Sequence, residues 1–331
     1  MGGGGPPPST ISALLGVIVV RFVLRRIASG VVLVGVLSSV TFLLLYVSGG
    51  NIARRILGQQ ATQETVLQKK QELGLDRPLL SRFGDWLSHA LRGDLGDSWF
   101  TGQRVTEAIS TRVQVTLSLV VGATLLTAVV AVVLGALAAT RGGWVDRFVQ
   151  FLSVLGFAIP GFLLALGLVT LFAIHWHVFK PTGYVQFSES PSQWLSSIAL
   201  PVLALSIGGI AGVAAQVRGS MLDALRQDYV RTLRSRGLPE GRVIYKHVLR
   251  NAAGPALSVL ALQFVGLLGG AVIVEQIFAI PGLGQVAVGA TSSGDIPLVM
   301  GLVLAVTVIV VIVNLAVDLM QGWLNPKVRV S

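Results

Sequence analysis

The chain has 331 residues, 53% of them apolar and 12% charged, with a formal net charge of +10. That balance describes an integral membrane protein rather than a water-soluble domain. The excess of Lys and Arg does not point to nucleic acid, because the basic residues border apolar stretches, and the absence of Cys excludes disulfides, thiolate zinc sites and iron–sulfur clusters.

Residues 1–10 are rich in Gly and Pro and are predicted to be disordered. Residues 11–20 are apolar but shorter than the roughly 20 residues needed to span a bilayer, and together with residues 21–26 they are predicted to form a membrane-surface helix. Six spans follow, at about 27–47, 113–140, 148–174, 196–219, 254–276 and 298–321. Arg21, Arg25, Arg26, Arg141, Arg147, the basic run from Arg218 to Arg250, Lys327 and Arg329 fall on one side of these spans, and the short loops of the other side hold only Lys180. This asymmetry predicts both termini in the cytoplasm.

The long segment 48–112 then lies outside. It contains LGLDRPLLSRFGDWL followed by LRGDLGDSW. Asp76 before Pro78 predicts a capped helix start, and Leu79, Leu80, Phe83, Trp86, Leu87 and Leu91 recur at helical spacing. In the third span, Pro160 removes a backbone donor and is expected to kink the helix. His175 and His177 flank Trp176, which reads as an interfacial anchor rather than a metal site. Glu275 near the end of the fifth span is open to three readings: a carboxylate reaching to the outer interface, a cap for the next turn, or a gate. Asn314 and Asp318, four residues apart, suit interhelical hydrogen bonding. Gln263, Ser206, Thr170 and Thr307 either line a wet passage or bond to neighbouring helices.

Residues 228–257, DYVRTLRSRGLPEGRVIYKHVLRNAAGPAL, are the most informative stretch. Asp228 is placed to cap a short helix. Gly237 supplies a left-handed residue to end it, and Pro239 with Glu240 suits the first turn of a second helix. Arg231 and Arg234 are three apart, and Arg242, Lys246 and Arg250 recur every fourth residue. Either this is a basic loop that only orients the chain, or it is a rigid element on which another protein acts. No G-x-x-x-x-G-K-[ST] phosphate loop occurs, so the chain has no ATP site of that kind.

The segment YVRTLRSRGLP…RVIYKHVLRNAAGP resembles the cytoplasmic coupling loop of bacterial ABC importer permeases. LGLDRP, RGDLGDS, RGGWVDR, Ile159-Pro160-Gly161-Phe162, GGAVIVEQIFAIPGLG and IVNLAVDLMQGWLNPKVR add a likeness to the dipeptide/oligopeptide/nickel family, first-permease branch, over about residues 21–329. Leu233, Ser235 and Arg236 depart from the usual alanines and lysine, and Ser48-Gly49-Gly50-Asn51 stands where a Pro-Gly-Asp-Pro turn is common.

The resemblance implies an all-α protein with six transmembrane helices, the type I ABC importer permease fold and a small extracytoplasmic helical segment. The implied organisation is an extension at 1–20, a first transmembrane helix at 21–47, an outer segment at 48–112, a core at 113–322 with a coupling loop at 220–252, and a cytoplasmic tail at 323–331. It implies a permease subunit of an ATP-driven importer in the bacterial cytoplasmic membrane, moving di- or oligopeptides by alternating access. The expected partners are a second related permease, two cytoplasmic ATPase subunits that bind ATP and Mg, an extracytoplasmic substrate-binding protein, the peptide and membrane lipid, with no nucleic acid and no cofactor or metal in this chain. The coupling contacts expected are Asp228, Tyr229, Arg231, Thr232, Leu233, Arg234, Arg236, Gly237 and Leu238, with Leu233 and Leu238 as apolar contacts in the ATPase groove. Ile280, Pro281, Gly282, Leu283 and Gly284 are the expected binding-protein contact and outer gate. The alternative reading is an ion-coupled secondary transporter or channel, which usually carries acids near the membrane midplane.

Overall fold

A computed structural model describes residues 8–48 and 52–324 of the chain. The expectations for residues 1–7, for the turn at 49–51 and for residues 325–331 fall outside the described residues. Helix α1 runs from Pro8 to Ser48 as one element. The break expected near residue 26 is absent, because no proline follows Pro8 and the isolated glycines of an apolar helix do not stop it.

Three short helices follow: α2 (Ile52–Leu57), α3 (Gln63–Glu72) and α4 (Leu79–Ala90). The Thr62 hydroxyl accepts from the Thr65 N–H at 3.3 Å and caps α3. Asp76 does not cap α4; Pro78 occupies the cap position and makes no side-chain bond. Leu79, Phe83 and Trp86 of α4 pack with Phe42 of α1 and with Ile52, Ile296 and Met300, while Leu80 and Leu91 face outward at 81% exposure each. Of the six apolar residues at helical spacing, three face the cluster and Leu80, Leu87 and Leu91 are exposed. Arg82 lies over the Phe42 and Tyr46 rings, 5.7 and 5.5 Å from their centroids. Burial lowers its pKa, while Tyr46 and Asp76 act in the opposite direction.

Helix α5 (Val105–Arg141) begins earlier than the second span predicted from hydropathy. Its first turns are helical because Val105, Ala108 and Ile109 bury against Leu298 and Leu302. It ends at Gly142 and Gly143, both at positive φ (61° and 55°), a conformation glycine adopts without steric cost. The third span is broken rather than kinked. Helices α6 (Gly143–Ala158) and α7 (Gly161–Leu168) meet at Pro160, and α7 continues in π-helical turns to His175. The bend between the two limbs is 96°, since Pro160 lacks an N–H and the preceding Ile159 is pushed into an extended conformation.

Helix α8 (Pro191–Leu225) passes through a buried Pro201 without breaking. Next come α9 (Asp228–Ser235), α10 (Glu240–Arg242) and a π-helical stretch at Val243–Val248, which runs directly into α11 (Leu249–Ile277). Two helices close the described chain, α12 (Leu283–Ser293) and α13 (Ile296–Leu324). Among the described residues, five helices are long and apolar enough to cross a membrane, and the bent α6–α7 pair makes a sixth if it counts as one span.

Helices α5 and α8 form the spine. Ala131, Gly135 and Ala139 recur every fourth residue on the buried side of α5, and a Cβ added at Gly135 would lie 2.7 Å from the Ala214 carbonyl oxygen. Small residues allow this approach, and close packing is what joins helices where lipid is as apolar as the side chains. Two cores flank the spine. One, at the α9 end, gathers Val213, Val217, Met221, Val230, Val243 and Val248. The other, at the α12 end, gathers Leu119, Leu200, Phe264, Leu268, Phe278 and Ile280. Asp318 of α13 pairs with Arg26 of α1 at 2.9 Å, so this acid does join helices, through an ion pair.

Candidate functional site

The connection between α8 and α11 folds as its turn chemistry dictates. Gly237 has φ +76°. Its N–H donates to the Arg234 carbonyl at 2.9 Å and the Leu238 N–H donates to the Leu233 carbonyl at 3.3 Å. This paired closure satisfies the last carbonyls of α9. A Cβ at Gly237 would meet nothing within 4 Å, so the position asks for glycine through backbone angle alone. Pro239 then caps the second helix, with Glu240 in its first turn.

Asp228 does not cap α9. Gln227 holds that position, and Asp228 is the first helical residue, pointing to solvent with Arg231 3.8 Å away. Arg234 is held inside the connection: its Nη2 reaches Glu240 Oε1 at 2.5 Å and its Nε reaches Oε2 at 3.1 Å. That bond raises the Arg234 pKa. Val230 is fully buried, and Tyr229, Leu233 and Leu238 pack partly against the same core. The two leucines lean on their own subunit and keep part of their surface exposed. Arg231, Thr232, Ser235 and Arg236 form the exposed face. The Tyr229 hydroxyl accepts from Asn251 Nδ2 at 3.2 Å and ties α9 to α11.

At the opposite end, α11, a tight turn and α12 enclose a buried carboxylate. Glu275 is fully buried. It accepts from Thr116 Oγ1 of α5 at 2.6 Å, from the Gly284 N–H at 2.8 Å and from the Gln285 N–H at 3.2 Å. Thr116 Oγ1 accepts in turn from the Leu283 N–H at 2.8 Å. Of the readings open for Glu275, reaching to the outer interface is excluded and capping the next helix is what the geometry has. A Cβ at Gly282 would collide with the Glu275 carboxylate, which is why the chain needs glycine there. Ile280, Gly282, Leu283 and Gly284 are buried, and Pro281 alone of the five expected contact residues is exposed. It borders a cavity of about 560 Å³ lined also by Arg112, Ser118, Tyr184 and Glu189.

Sequence reasoning missed two further carboxylates. Asp295 is buried, bonds the Ser98 hydroxyl and accepts from the Trp99 N–H at 3.3 Å and the Leu298 N–H at 3.4 Å. It therefore caps α13 and pins the end of the outer segment. Asp146 of α6 pairs with Arg218 of α8, with a second contact of 2.6 Å. The polar candidates for a wet passage are occupied locally: Thr170, Ser206 and Thr307 each bond a carbonyl four residues back on their own helix, and Gln263 packs against Gly209.

This arrangement, a helical bundle with an exposed two-helix connection at one end and a sealed turn at the other, matches known proteins along its length. The family model for binding-protein-dependent transport system inner membrane components covers residues 131–330, and the N-terminal model of the same systems covers residues 19–120. The chain belongs to this family and is a multi-pass inner-membrane permease subunit of an ABC transport system.

Among its relatives, a Brucella abortus protein named for peptide transport is 39% identical over 308 residues, spanning 93% of this chain and 98% of the relative. An Escherichia coli K12 protein named for D,D-dipeptide transport is 35% identical, spanning 92% and 97%. A glutathione transport permease of Salmonella typhimurium is 33% identical, spanning 93% and 99%. The solved methionine ABC transporter MetNI in an inward-facing form superposes with a TM-score of 0.52 at 18% identity, over 66% of this chain and 96% of that one. The fold is that of a type I ABC importer permease.

Proposed function

We propose that this chain translocates peptides as one of two related permeases in an ATP-driven importer. Its termini and the α8–α11 connection face the cytoplasm, and residues 52–104 together with α12 face outward. Two ATPase subunits supply ATP and Mg chemistry, and an extracytoplasmic binding protein delivers the peptide. The peptide class is carried by the relatives named for peptide, D,D-dipeptide and glutathione transport. The observation that carries the coupling role is α9 itself: a rigid, capped helix that presents Arg231, Thr232, Ser235 and Arg236 while its other face is fixed to the bundle. ATPase closure would push on this face, and the Tyr229–Asn251 bond and the shared core would pass the displacement to α11. The binding-protein contact narrows to the exposed surface around Pro281 and the outer segment.

The test is co-purification with the companion subunits, followed by ATP hydrolysis in the presence of the binding protein and a panel of di- and oligopeptides. Peptide-stimulated hydrolysis supports the reading. An assembled complex that no peptide stimulates, but that another solute does, overturns the substrate class. Cysteines placed singly at Ser88 and Ser292 should label with an impermeant thiol reagent in intact cells, and one at Ser235 should not. The reverse pattern overturns the orientation.

A further inference from the structure

A cavity of about 790 Å³ opens where α8, α9, α11 and α13 converge at the coupling end. Lys246, His247 and Arg250 line it, and none of its lining residues is acidic. None of the three basic side chains has an ion pair or a hydrogen bond among the described residues. The neutral polar groups around them are already engaged, Asn251 with Tyr229 at 3.2 Å and Gln321 with Ser258 at 2.9 Å. Cations that only orient a membrane protein can spread over its surface. Here the π-helical stretch and the first turn of α11 bring Lys246 and Arg250, with the His247 imidazole beside them, into one concavity, although the two cations repel each other.

We propose that this cavity binds a phosphate-bearing anion, either the headgroup of an anionic phospholipid or a phosphate in solution. A basic pocket between helices at the cytoplasmic surface has the chemistry to hold such a headgroup. Orienting it toward the cytoplasm rests on the function proposed above. Occupancy would be sensed by the coupling helix, because Tyr229 of α9 is part of the wall. The anion would neutralise the repulsion between Lys246 and Arg250, accept a hydrogen bond from the His247 imidazole and stiffen the α9–α11 junction through which ATPase motion passes.

The experiment uses the assembled complex in lipid nanodiscs and reads retained lipid by native mass spectrometry, which does not depend on transport. The parent in mixed phosphatidylcholine and phosphatidylglycerol is compared with Lys246→Gln/Arg250→Gln and with the charge-conserving Lys246→Arg/Arg250→Lys. Each cation facing an anionic headgroup contributes about a factor of five in affinity, so the double Gln variant is expected to lose phosphatidylglycerol by about 25-fold while the charge-conserving one keeps it. A second arm titrates inorganic phosphate into purely phosphatidylcholine discs and follows thermal stability. Stabilisation of the parent there, without lipid retention, assigns the site to a soluble phosphate. Equal lipid retention by parent and Gln variant, with no phosphate effect in either, overturns the proposal. A complex that retains the lipid but is stimulated by no peptide leaves the cavity assignment standing and refutes the function instead.

Discussion

The two ends of the bundle hold a short helix in place by opposite means. At the coupling end, α9 is closed off by local chemistry, with a left-handed glycine, a proline cap and an ion pair between residues six apart, while Val230 seats its inner face in the core. At the other end, α12 is fixed by a buried carboxylate whose hydroxyl donor lies 159 residues away on α5. The first design keeps a polar face exposed while the inner face and the Tyr229–Asn251 bond tie the helix to α8 and α11. In the second, opening the turn strips the Leu283, Gly284 and Gln285 N–H groups of their acceptors together, because all three converge on Thr116 and Glu275. One end is thus built from exposed, locally closed groups and the other from buried, mutually dependent ones.

The largest expected effect therefore sits at Glu275. Glu275→Ala leaves the Thr116 hydroxyl and the Gly284 and Gln285 N–H groups without an acceptor. Each unsatisfied buried donor costs about 1–3 kcal/mol, so the loss is expected to be at least about 3 kcal/mol, seen as a large fall in the thermal midpoint of the detergent-purified protein. Thr116→Val should cost less, since Glu275 keeps two of its three donors. A Glu275→Ala protein as stable as the parent would end the contrast between the ends.

A middle-sized effect is expected where the outer segment is pinned. Asp295→Ala removes the cap of α13 and the acceptor for Ser98 and Trp99, at a cost of about 2 kcal/mol by the usual scale for a lost cap with a buried partner. The observable is local. Trypsin should cut faster within residues 52–104, which hold several basic sites, while the membrane core stays resistant. Unchanged cleavage would mean that the cluster of Phe42, Ile52, Phe83, Trp86, Ile296 and Met300 holds the segment without Asp295.

Legibility in the sequence follows the same division. Gly237, Pro239 and the spans themselves were readable because each rests on a local rule: a φ value, a missing N–H, a run of apolar residues. The partners of Glu275 and Asp295 were not, because Thr116 and Ser98 look like ordinary hydroxyls until the fold brings them across. The capping position of α9, and how far Leu233 and Leu238 lean on the bundle, follow from contacts the sequence does not display. Capping chemistry and apolar character are visible in one chain, but which face of α9 is spent on its own core depends on Val230, Val243 and Val248 meeting. The 96° break at Pro160 was visible as a proline and invisible as an angle, since only packing against α8 decides how far a freed carbonyl swings.

The smallest structural effect and the most specific functional one should coincide at Gly237. Alanine in the left-handed region costs about 1 kcal/mol, and because open space surrounds the position no clash adds to it. Gly237→Ala is therefore expected to leave the thermal midpoint almost unchanged and to fray only the end of α9, visible as faster amide exchange at Gly237 and Leu238, whose N–H groups close the turn. Gly237→Val, β-branched and more strongly excluded from positive φ, should fray it further. Gly237→Asp fits the backbone better than valine but adds charge beside the exposed face of α9. If that face seats in an ATPase, aspartate should uncouple ATP hydrolysis from uptake more than valine does, despite the smaller strain. The comparison is made by measuring uptake per ATP hydrolysed in reconstituted complexes of the three variants. A ranking that follows backbone strain alone, with valine worst and aspartate near the parent, would make the turn a rigid spacer and remove the surface of α9 from the coupling contact.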